Sequence, residues 1–286
     1  LLARRADRIR PMTDDKVLAD WNGTTIAALT LVARRLDRTD WLALARDAYR
    51  FVVDVMGRGD RLAHAWRDGA VIFPGLSSDL AHMARAATLL HETTREAPYL
   101  DDARRWMTAL DRHHADPDGG WFLTADDAEA LLVRPTTAKD DAMPNPNAVA
   151  IETLLRLSVL TGETTWRDRA EAGLRRLGGA MMDDVFSTAA LSNALDTAIG
   201  LVEVVLIAPA GTDPEPLRRV VFESTDPRVV LVETESTAGL PPAHPAHGKG
   251  AIEAGPTAWV CRWGSCGLPQ TEPAPLRVLL ETGRQV

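Results

Sequence analysis

Apolar residues recur every three or four positions along most of residues 1–200, which is the spacing of one face of an α-helix. These stretches come in pairs separated by short polar or glycine-containing breaks, so they predict helical hairpins. The apolar positions of the first stretch are Ile26, Leu29, Val32, Ala33 and Leu36. The predicted helices cover residues 15–37, 40–56, 76–94, 98–114, 147–161, 163–178 and 184–199.

An internal repeat supports this division into hairpins. An aromatic residue followed four positions later by alanine marks the start of the second helix of a unit, at Trp41/Ala45, Tyr99/Ala103 and Trp166/Ala170. Hairpins that stack side by side bury an inner and an outer layer of helices. The predicted fold class is therefore mainly α, a partial α/α toroid of helical hairpins followed by a small α/β appendage.

The long connections between the units contain strand-like segments. They predict two β-hairpins on one rim of the toroid, 61–66 with 70–73 and 121–123 with 130–133. Beyond residue 200 the pattern changes to short apolar runs that alternate with helical ones. Strands are predicted at 202–207, 229–232 and 258–261, and helices at 213–223 and 275–281. The predicted domains are thus 1–200, helical hairpins, and 201–286, a small α/β unit.

Composition and charge narrow the class of protein. The 286 residues are 45% hydrophobic and 25% charged, which is typical of globular proteins. The net charge of −8 has the wrong sign for a broad nucleic-acid-binding face. The longest apolar stretch, 199–210, falls short of the roughly 18 residues that a membrane span requires. The sequence therefore predicts neither a nucleic-acid nor a membrane partner.

The ends and the cysteine count add two expectations. The chain begins without Met and without the apolar core of a signal peptide, so we interpret it as the downstream part of a longer protein. Only two cysteines occur, which favours a cytoplasmic location. No G-x-x-x-x-G-K-[ST] phosphate loop is present, and we expect neither a cofactor nor a metal.

Acidic residues collect near the starts of the predicted inner helices. Asp15, Asp79 and Asp141 each precede or begin such a helix. One interpretation is helix capping, which needs no ligand. The other is that the toroid brings these carboxylates together around one cavity, where paired acids could protonate a leaving oxygen or activate water on a sugar. On this interpretation the three aspartates are the candidate catalytic residues.

Aromatic and imidazole side chains near these acids suit a sugar. Aromatic rings can stack on pyranose faces, and histidine transfers protons near neutral pH. The candidate substrate-binding residues are Trp21, Asn22, His64, Trp66, His82 and Trp121. The alternative for each histidine on an apolar helix is ordinary packing.

Cys261 and Cys266 are separated by a short segment that contains Gly264. A turn there could bring the two sulfur atoms together as a redox-sensitive pair. They could also be small packing residues, or join His244 and His247 in a zinc site, although the irregular histidine spacing argues against a metal.

Several segments together resemble a known family. They are Arg10-Pro11, Asp14 to Leu18 with Trp21-Asn22-Gly23, Gly119-Gly120-Trp121-Phe122, Asp140 to Pro144 with Asn147, and Val260-Cys261 with Cys266 and Pro269. The chain resembles the C-terminal region of the YyaL-like, spermatogenesis-associated thioredoxin-domain proteins. It departs from their pattern at Leu80, where they usually carry Tyr, and at Asn145, where they carry Ser.

The resemblance implies a thioredoxin-like domain followed by a six-hairpin toroid, itself similar to glycosidases and N-acylglucosamine 2-epimerases. By this resemblance, the present chain would hold about half of the ring, with a thioredoxin-like partner domain upstream. Two functions remain open. The first is a carbohydrate-active-like region that binds or acts on a sugar or polyol, as a glycosidase or epimerase would. The second is a non-enzymatic interaction scaffold for the thioredoxin-like domain, with a redox-sensitive cysteine pair.

Overall fold

The computed structural model describes residues 1–282. After a short helix α1 (Leu2–Ala6), helices pair in the order that the apolar periodicity predicts. The pairs are α2 (Ala19–Leu36) with α3 (Thr39–Phe51), α4 (Ser77–Thr94) with α5 (Ala97–His114), and α6 (Pro146–Thr161) with α7 (Thr164–Leu177). A π-helical turn, Val52–Met56, extends α3, and the short α8 (Gly179–Asp183) and α9 (Ala189–Gly200) end this region.

The helices form two layers. In the inner layer α2 packs against α4, α4 against α6, and α6 against α9. The outer helices α3, α5 and α7 each bury one face against their inner partner. The alanine of each aromatic/Ala repeat is completely buried there, at Ala45, Ala103 and Ala170. A methyl side chain at these positions lets an outer helix lie close to the inner layer.

The first predicted β-hairpin forms, but its first strand is divided. Strands β1 (Val17–Leu18), β4 (Ala65–Arg67) and β5 (Ala70–Ile72) make a three-stranded antiparallel sheet. The strands β2 (Gly57–Arg58) and β3 (Arg61–Leu62) pair separately. The division follows from the backbone of Ala63, whose N–H donates to the Met56 carbonyl, while the N–H of His64 donates to Ile72.

The predicted pairing of 121–123 with 130–133 is wrong. The backbone of this first segment bonds elsewhere: the N–H of Phe122 donates to the His114 carbonyl, and the Leu123 carbonyl accepts from Ser77. Trp121 forms one isolated bridge to Ala115. These bonds attach the segment to the end of α5 and the start of α4, so no partner strand is required.

The C-terminal region forms the predicted small α/β unit. Its elements are β6 (Val202–Ile207), α10 (Glu215–Glu223), β7 (Val229–Thr234), β8 (Thr257–Arg262), β9 (Ser265–Cys266) and α11 (Pro273–Thr282). The strand order is β7-β6-β8-β9, with β6 and β7 parallel and β8 antiparallel to β6. Helix α10 is the crossover that a parallel pair needs.

Alternate residues of β6 face two separate apolar layers. Val204 and Leu206 pack with residues of α10 and α11. Val205 and Ile207 pack on the other face with Val159 at the end of α6. The sheet is therefore held between its own helices and the toroid. The division into domains at residue 200 stays a prediction. Across residues 1–282 we find no helix with both the length and the apolar character that crossing a bilayer demands.

Candidate functional site

Helices α2 and α4 approach each other closely at Gly23. A Cβ atom there would lie 2.7 Å from the backbone carbonyl carbon of His82, closer than real Cβ contacts allow. Two hydrogen bonds join the helices beside this point. Ser78 Oγ donates to Asp20 Oδ2 at 3.0 Å, and Thr24 Oγ1 lies 2.8 Å from His82 Nδ1. Because both pairs are spaced by four residues, the second bond lies one helical turn below the first.

Asp79 is completely buried under the first turn of α4. Its carboxylate accepts the N–H of Leu76 at 2.7 Å and the N–H of Asp20 at 3.1 Å. It therefore caps α4 and α2 together. Burial raises the pKa of Asp79, although His64 acts in the opposite direction. Since no ligand can touch a buried carboxylate, Asp79 can influence chemistry only through the groups that it contacts.

His64, in the link between β3 and β4, is the side chain that Asp79 contacts. Its Nδ1 lies 3.1 Å from Asp79 Oδ2 and 3.2 Å from Oδ1. This hydrogen bond raises the pKa of His64 above its ordinary value, although burial lowers it. The side chain is 28% exposed. The structure thus brings together two residues to which the sequence analysis assigned separate roles.

His82 is held at both ring nitrogens. Its Nε2 lies 3.2 Å from the Pro144 carbonyl oxygen. Because a carbonyl only accepts, Nε2 carries the hydrogen, and Nδ1 accepts the hydrogen bond from the Thr24 hydroxyl. Burial lowers the pKa of His82 to about 4. His82 is therefore neutral near pH 7 and fastens the segment before α6 to α4, with no ring nitrogen free for proton transfer.

A cavity of about 400 Å³ lies beside His82, among α4, α6 and α9. Its wall combines charged, polar and apolar groups. The polar lining residues, besides His82, are Thr24, Arg85, Asp140, Asp141, Glu152 and Asn193.

The two aspartates of this cavity differ in their hydrogen-bond partners. Asp140 accepts the N–H of Asn145 at 2.8 Å and the N–H of Ala190 at 2.9 Å, so it ties the start of α6 to the start of α9. Asp141 is exposed, and within residues 1–282 its carboxylate has no hydrogen-bond or ion-pair partner. Of the two, Asp141 is the one available to a ligand.

A chain of buried charges begins in the cavity wall. Glu152 lies 3.4 Å from Arg85 Nε and 3.4 Å from Arg156 Nε. Arg156, whose side chain is 4% exposed, also donates to Glu92 at 2.9 Å. Arg34 lies 3.7 Å from the same Glu92. Burial opposes ionisation of Glu152, but the two guanidinium groups hold the pKa of its carboxyl below the ordinary value.

The same chain reaches the C-terminal sheet. Arg156 donates to the Pro227 carbonyl at 2.6 Å, and Glu92 accepts the N–H of Leu231 in β7 at 3.4 Å. The carboxylate of Glu152 in the cavity wall is therefore connected to β7 through one buried guanidinium.

Three of the predicted site residues lie at the rim of the inner helices. Asp15 is exposed and pairs with Arg67 Nε at 2.8 Å. Asn22 Nδ2 donates to the Leu18 carbonyl at 2.8 Å, which is a bond within the first turn of α2. Trp21 is 56% exposed. None of the three belongs to the lining of the cavity described above.

The two other tryptophans among the predicted site residues, Trp66 and Trp121, pack against protein side chains. Trp66 contacts Phe51 edge to face, with ring centroids 5.4 Å apart. Trp121 is 4% exposed, and its Nε1 donates to Asp111 at 2.8 Å. Its indole therefore has no open face on which a sugar could stack.

Three residues of this region are not among the candidates that the sequence predicts. Asp20 lies beside Trp21 in the first turn of α2, and its N–H donates to Asp79. Arg85 and Glu152 stand in largely apolar inner helices, where an isolated charge is itself a signal of a buried partner or a ligand.

Within residues 1–282, two groups of side chains have the composition of a metal site. The ligand atoms of Asp20, His64 and Asp79 lie within 4.8 Å of one another, as do those of the more exposed His113, Asp126 and Asp127. In the first group every carboxylate oxygen already accepts an N–H or O–H hydrogen bond. These bonds account for the first arrangement without a cation.

Cys261 and Cys266 form a disulfide bond between β8 and β9. Cys261 is buried, whereas Cys266 is exposed. The turn that they enclose carries Trp263, whose Nε1 donates to the carbonyl of Ile199 at the end of α9.

Comparisons with known proteins agree with this architecture. No protein-family profile matches the chain. Spermatogenesis-associated protein 20 of mouse is 26% identical over 298 residues, and the human protein is 26% identical over 301 residues. Each alignment covers 98% of this chain but 38% of the relative, so the chain spans well under half the length of these proteins.

Among solved structures, the chain is similar to a GH76 α-mannanase of Bacteroides thetaiotaomicron, with a TM-score of 0.51 and 16% identity. The match covers 64% of this chain and 53% of the mannanase. The predicted family resemblance and the predicted partial toroid are both confirmed. The chain is thus similar in sequence to spermatogenesis-associated protein 20, and it carries an α/α toroid fold like that of the GH76 α-mannanase.

Proposed function

We propose that the cavity among α4, α6 and α9 binds a sugar or a related polyol, and that the chain is the carbohydrate-active part of a longer protein. The observation that carries this proposal is the cavity itself. Its volume of about 400 Å³ lies within the range of small-molecule sites, and it lies where the inner-layer helices α4, α6 and α9 meet.

The chemistry of the wall supports a polyhydroxylated ligand. Arg85 supplies N–H donors, while Glu152 and Asp141 supply acceptors. Hydroxyl groups both donate and accept, so they can use such a mixed wall without leaving a charge unpaired. Apolar side chains such as Val149 and Met143 offer contact for the carbon faces of a sugar ring.

The name of one structural neighbour supports the same class of ligand. The α-mannanase is a carbohydrate-active enzyme by name, and a glycosidase- or epimerase-like reaction is the activity that we propose for this site. The catalytic roles of Asp15 and Asp141 stay predictions, and the role predicted for the buried Asp79 can be exerted only through the groups that it contacts. The partner that we propose is a thioredoxin-like domain in the same longer protein. The chain covers 38% of the length of its mouse relative, so a protein of that length has room for such a domain.

Thermal unfolding with a panel of sugars tests the proposal. A ligand present at 100 times its Kd stabilises a protein by about 2.7 kcal/mol, so a bound sugar should raise the Tm measurably. Mannose, glucose, N-acetylglucosamine and mannitol form a first panel. Asp141→Asn should reduce the rise without changing the Tm of the free protein, because this carboxylate is exposed and unpaired.

Asp47→Asn is the matched control, since Asp47 is an exposed acid in an ion pair with Arg50, on an outer helix. This variant should respond to sugar as the unmodified chain does. An unchanged Tm throughout a broad panel of sugars would reject the proposal.

The disulfide favours one second candidate function. An interaction scaffold whose partner responds to the redox state of Cys261 and Cys266 would offer Cys266, the exposed residue of the pair, to attack by a dithiol. Binding of a thioredoxin-like domain that depends on oxidation of this pair, together with no response to sugars, would favour the scaffold.

A further inference from the structure

The charges in the wall of the cavity among α4, α6 and α9 can be accounted for one by one. The titratable groups that line this cavity are His82, Arg85, Asp140, Asp141 and Glu152. His82 is neutral near pH 7, because burial lowers its pKa to about 4. In formal charge, one arginine therefore faces three acids. The wall is acidic overall, but the three acids differ in what already compensates their charge.

The charges of Arg85 and Glu152 compensate each other. Arg85 Nε lies 3.4 Å from Glu152 Oε2. Glu152 also lies 3.4 Å from Arg156, which in turn contacts Glu92 at 2.9 Å. These four groups hold two positive and two negative charges. Arg34, which lies beyond Glu92, does not line the cavity. Arg85 is therefore already paired, and an anion beside it would also face Glu152.

Asp140 is compensated by the ends of two helices. Its two oxygens accept the N–H groups of Asn145 and Ala190, which lie at the N-termini of α6 and α9. A helix N-terminus acts as roughly half of a positive elementary charge. Two such ends together offset the charge of one carboxylate.

Asp141 is the acid that remains. It is exposed, and within residues 1–282 its carboxylate has no hydrogen-bond or ion-pair partner. Lys139, the nearest cation in the sequence, does not line the cavity, and its charge acts on Asp184. Hydroxyl groups can satisfy the hydrogen bonds of an unpaired carboxylate, but they cannot neutralise its charge. A positive group on the ligand can do both.

We propose that the ligand of this cavity is a polyol that carries an ammonium group, such as an amino sugar with a free amine, and that Asp141 selects it. This inference rests on the proposed function and names the substrate class of that same site. The ammonium group donates to one oxygen of Asp141, which leaves the other oxygen for a neighbouring hydroxyl. Arg85 donates to hydroxyl oxygens, and Val149 and Met143 contact the carbon face of the ring.

The same account of the charges disfavours acidic sugars. A carboxylate or phosphate on the ligand would meet the unpaired Asp141, while the one guanidinium of the wall is already paired with Glu152. Like charges in one site weaken binding. For ligands with the same ring, the cavity should therefore prefer a positive charge to none, and none to a negative charge.

Calorimetric titration with four sugars tests this order. Glucosamine, N-acetylglucosamine and glucuronate each differ from glucose in one substituent. At about pH 6, where an amine and a carboxylate are both charged, glucosamine should bind about fivefold more tightly than glucose, and glucuronate more weakly than glucose. N-acetylglucosamine keeps the nitrogen without its charge, so it should lose the advantage of glucosamine. Raising the salt concentration from about 0.01 M to 1 M should reduce this advantage, because salt screens the attraction.

Variants at Asp141 assign the preference to this residue. Asp141→Asn should bring the ratio of the Kd values of glucose and glucosamine to about one. Asp141→Lys should reverse the order, so that glucuronate binds more tightly than glucosamine. Because Asp141 is exposed and unpaired, both variants should fold. Asp47→Asn is the matched control: it removes an exposed acid from the outer helix α3 and should leave the ratio unchanged.

The contrary results can be told apart. Equal Kd values for glucose and glucosamine would overturn this inference while the proposed function stands. Tighter binding of glucuronate by the unmodified chain would overturn it as well. A preference for glucosamine that persists in Asp141→Asn would show that another group selects the amine, which also overturns it. If none of the four sugars binds and no other sugar raises the Tm, the proposed function fails and this inference fails with it.

Discussion

The buried charge chain makes a quantitative prediction for Glu92→Gln. Glu92 is 3% exposed, lies between Arg156 at 2.9 Å and Arg34 at 3.7 Å, and accepts the N–H of Leu231. The chain holds three guanidinium groups, including that of Arg85, and two carboxylates. Removing this negative charge takes the carboxylate away from Arg34 and leaves the buried Arg156 with Glu152 as its remaining acidic partner among the described residues.

Breaking a buried ion pair from one side costs about 3–5 kcal/mol. For the 286 residues of this chain, the entropy of unfolding is about 0.6 kcal/mol per kelvin, so the expected loss in Tm is about 5–8 °C. Calorimetry and urea unfolding, followed by circular dichroism, measure the Tm and the free energy of unfolding of the variant and of the unmodified chain.

A matched control separates burial from charge. Glu96→Gln removes an exposed carboxylate that pairs with Arg46 at 2.8 Å, and it should cost less than about 1 kcal/mol. The double variant Glu92→Met with Arg156→Met should recover part of the loss, because apolar side chains of similar size often replace a buried pair well. If Glu92→Gln lowered the free energy of unfolding by less than about 1 kcal/mol, the charges around Glu92 would be neither buried nor coupled as described.

Three further predictions concern other parts of the molecule. His82, with its pKa lowered to about 4, stays neutral in the folded state, whereas the unfolded residue protonates near pH 6.5. The free energy of unfolding should therefore fall by up to about 1.4 kcal/mol per pH unit as the pH is lowered from 6.5 to 4. Urea unfolding curves measured at a series of pH values should show this fall, and His82→Gln should reduce it. Gly23→Ala should cost about 1–3 kcal/mol because its methyl group would meet the backbone of α4, whereas Gly179→Ala, with open space around it, should cost nothing; equal Tm values for both would contradict the packing. Reducing the disulfide should lower the free energy of unfolding by about 2 kcal/mol, because the loop that it closes is short. Urea unfolding of Cys266→Ser should show the same loss, and adding dithiothreitol to this variant should have no further effect.

The helices were predictable because their signal is local. The spacing of Ile26, Leu29 and Ala33 reports one buried face, and the structure buries Ile26 and Ala33 almost completely. Gly162 likewise ends α6 in the left-handed conformation, at φ 72°, next to the predicted end at residue 161. Patterns of this kind need no knowledge of distant residues.

The site could be predicted only in part because its bonds join distant residues. His64 and Asp79 meet only after β4 pairs with β1 and β5, and neither pairing is encoded near Asp79. The failed strand pairing of residues 130–133 has the same cause. The segment predicted to pair with it, residues 121–123, forms backbone hydrogen bonds with His114 and Ser77 instead. The periodicity of apolar residues does not reveal such bonds.

A crystal structure of the chain grown with the sugar that raises its Tm most would test the central claim most directly. We predict a sugar ring in the cavity among α4, α6 and α9, with hydroxyl groups within hydrogen-bond distance of Asp141 and Glu152. A sugar bound elsewhere on the chain, with this cavity filled only by water, would contradict the account.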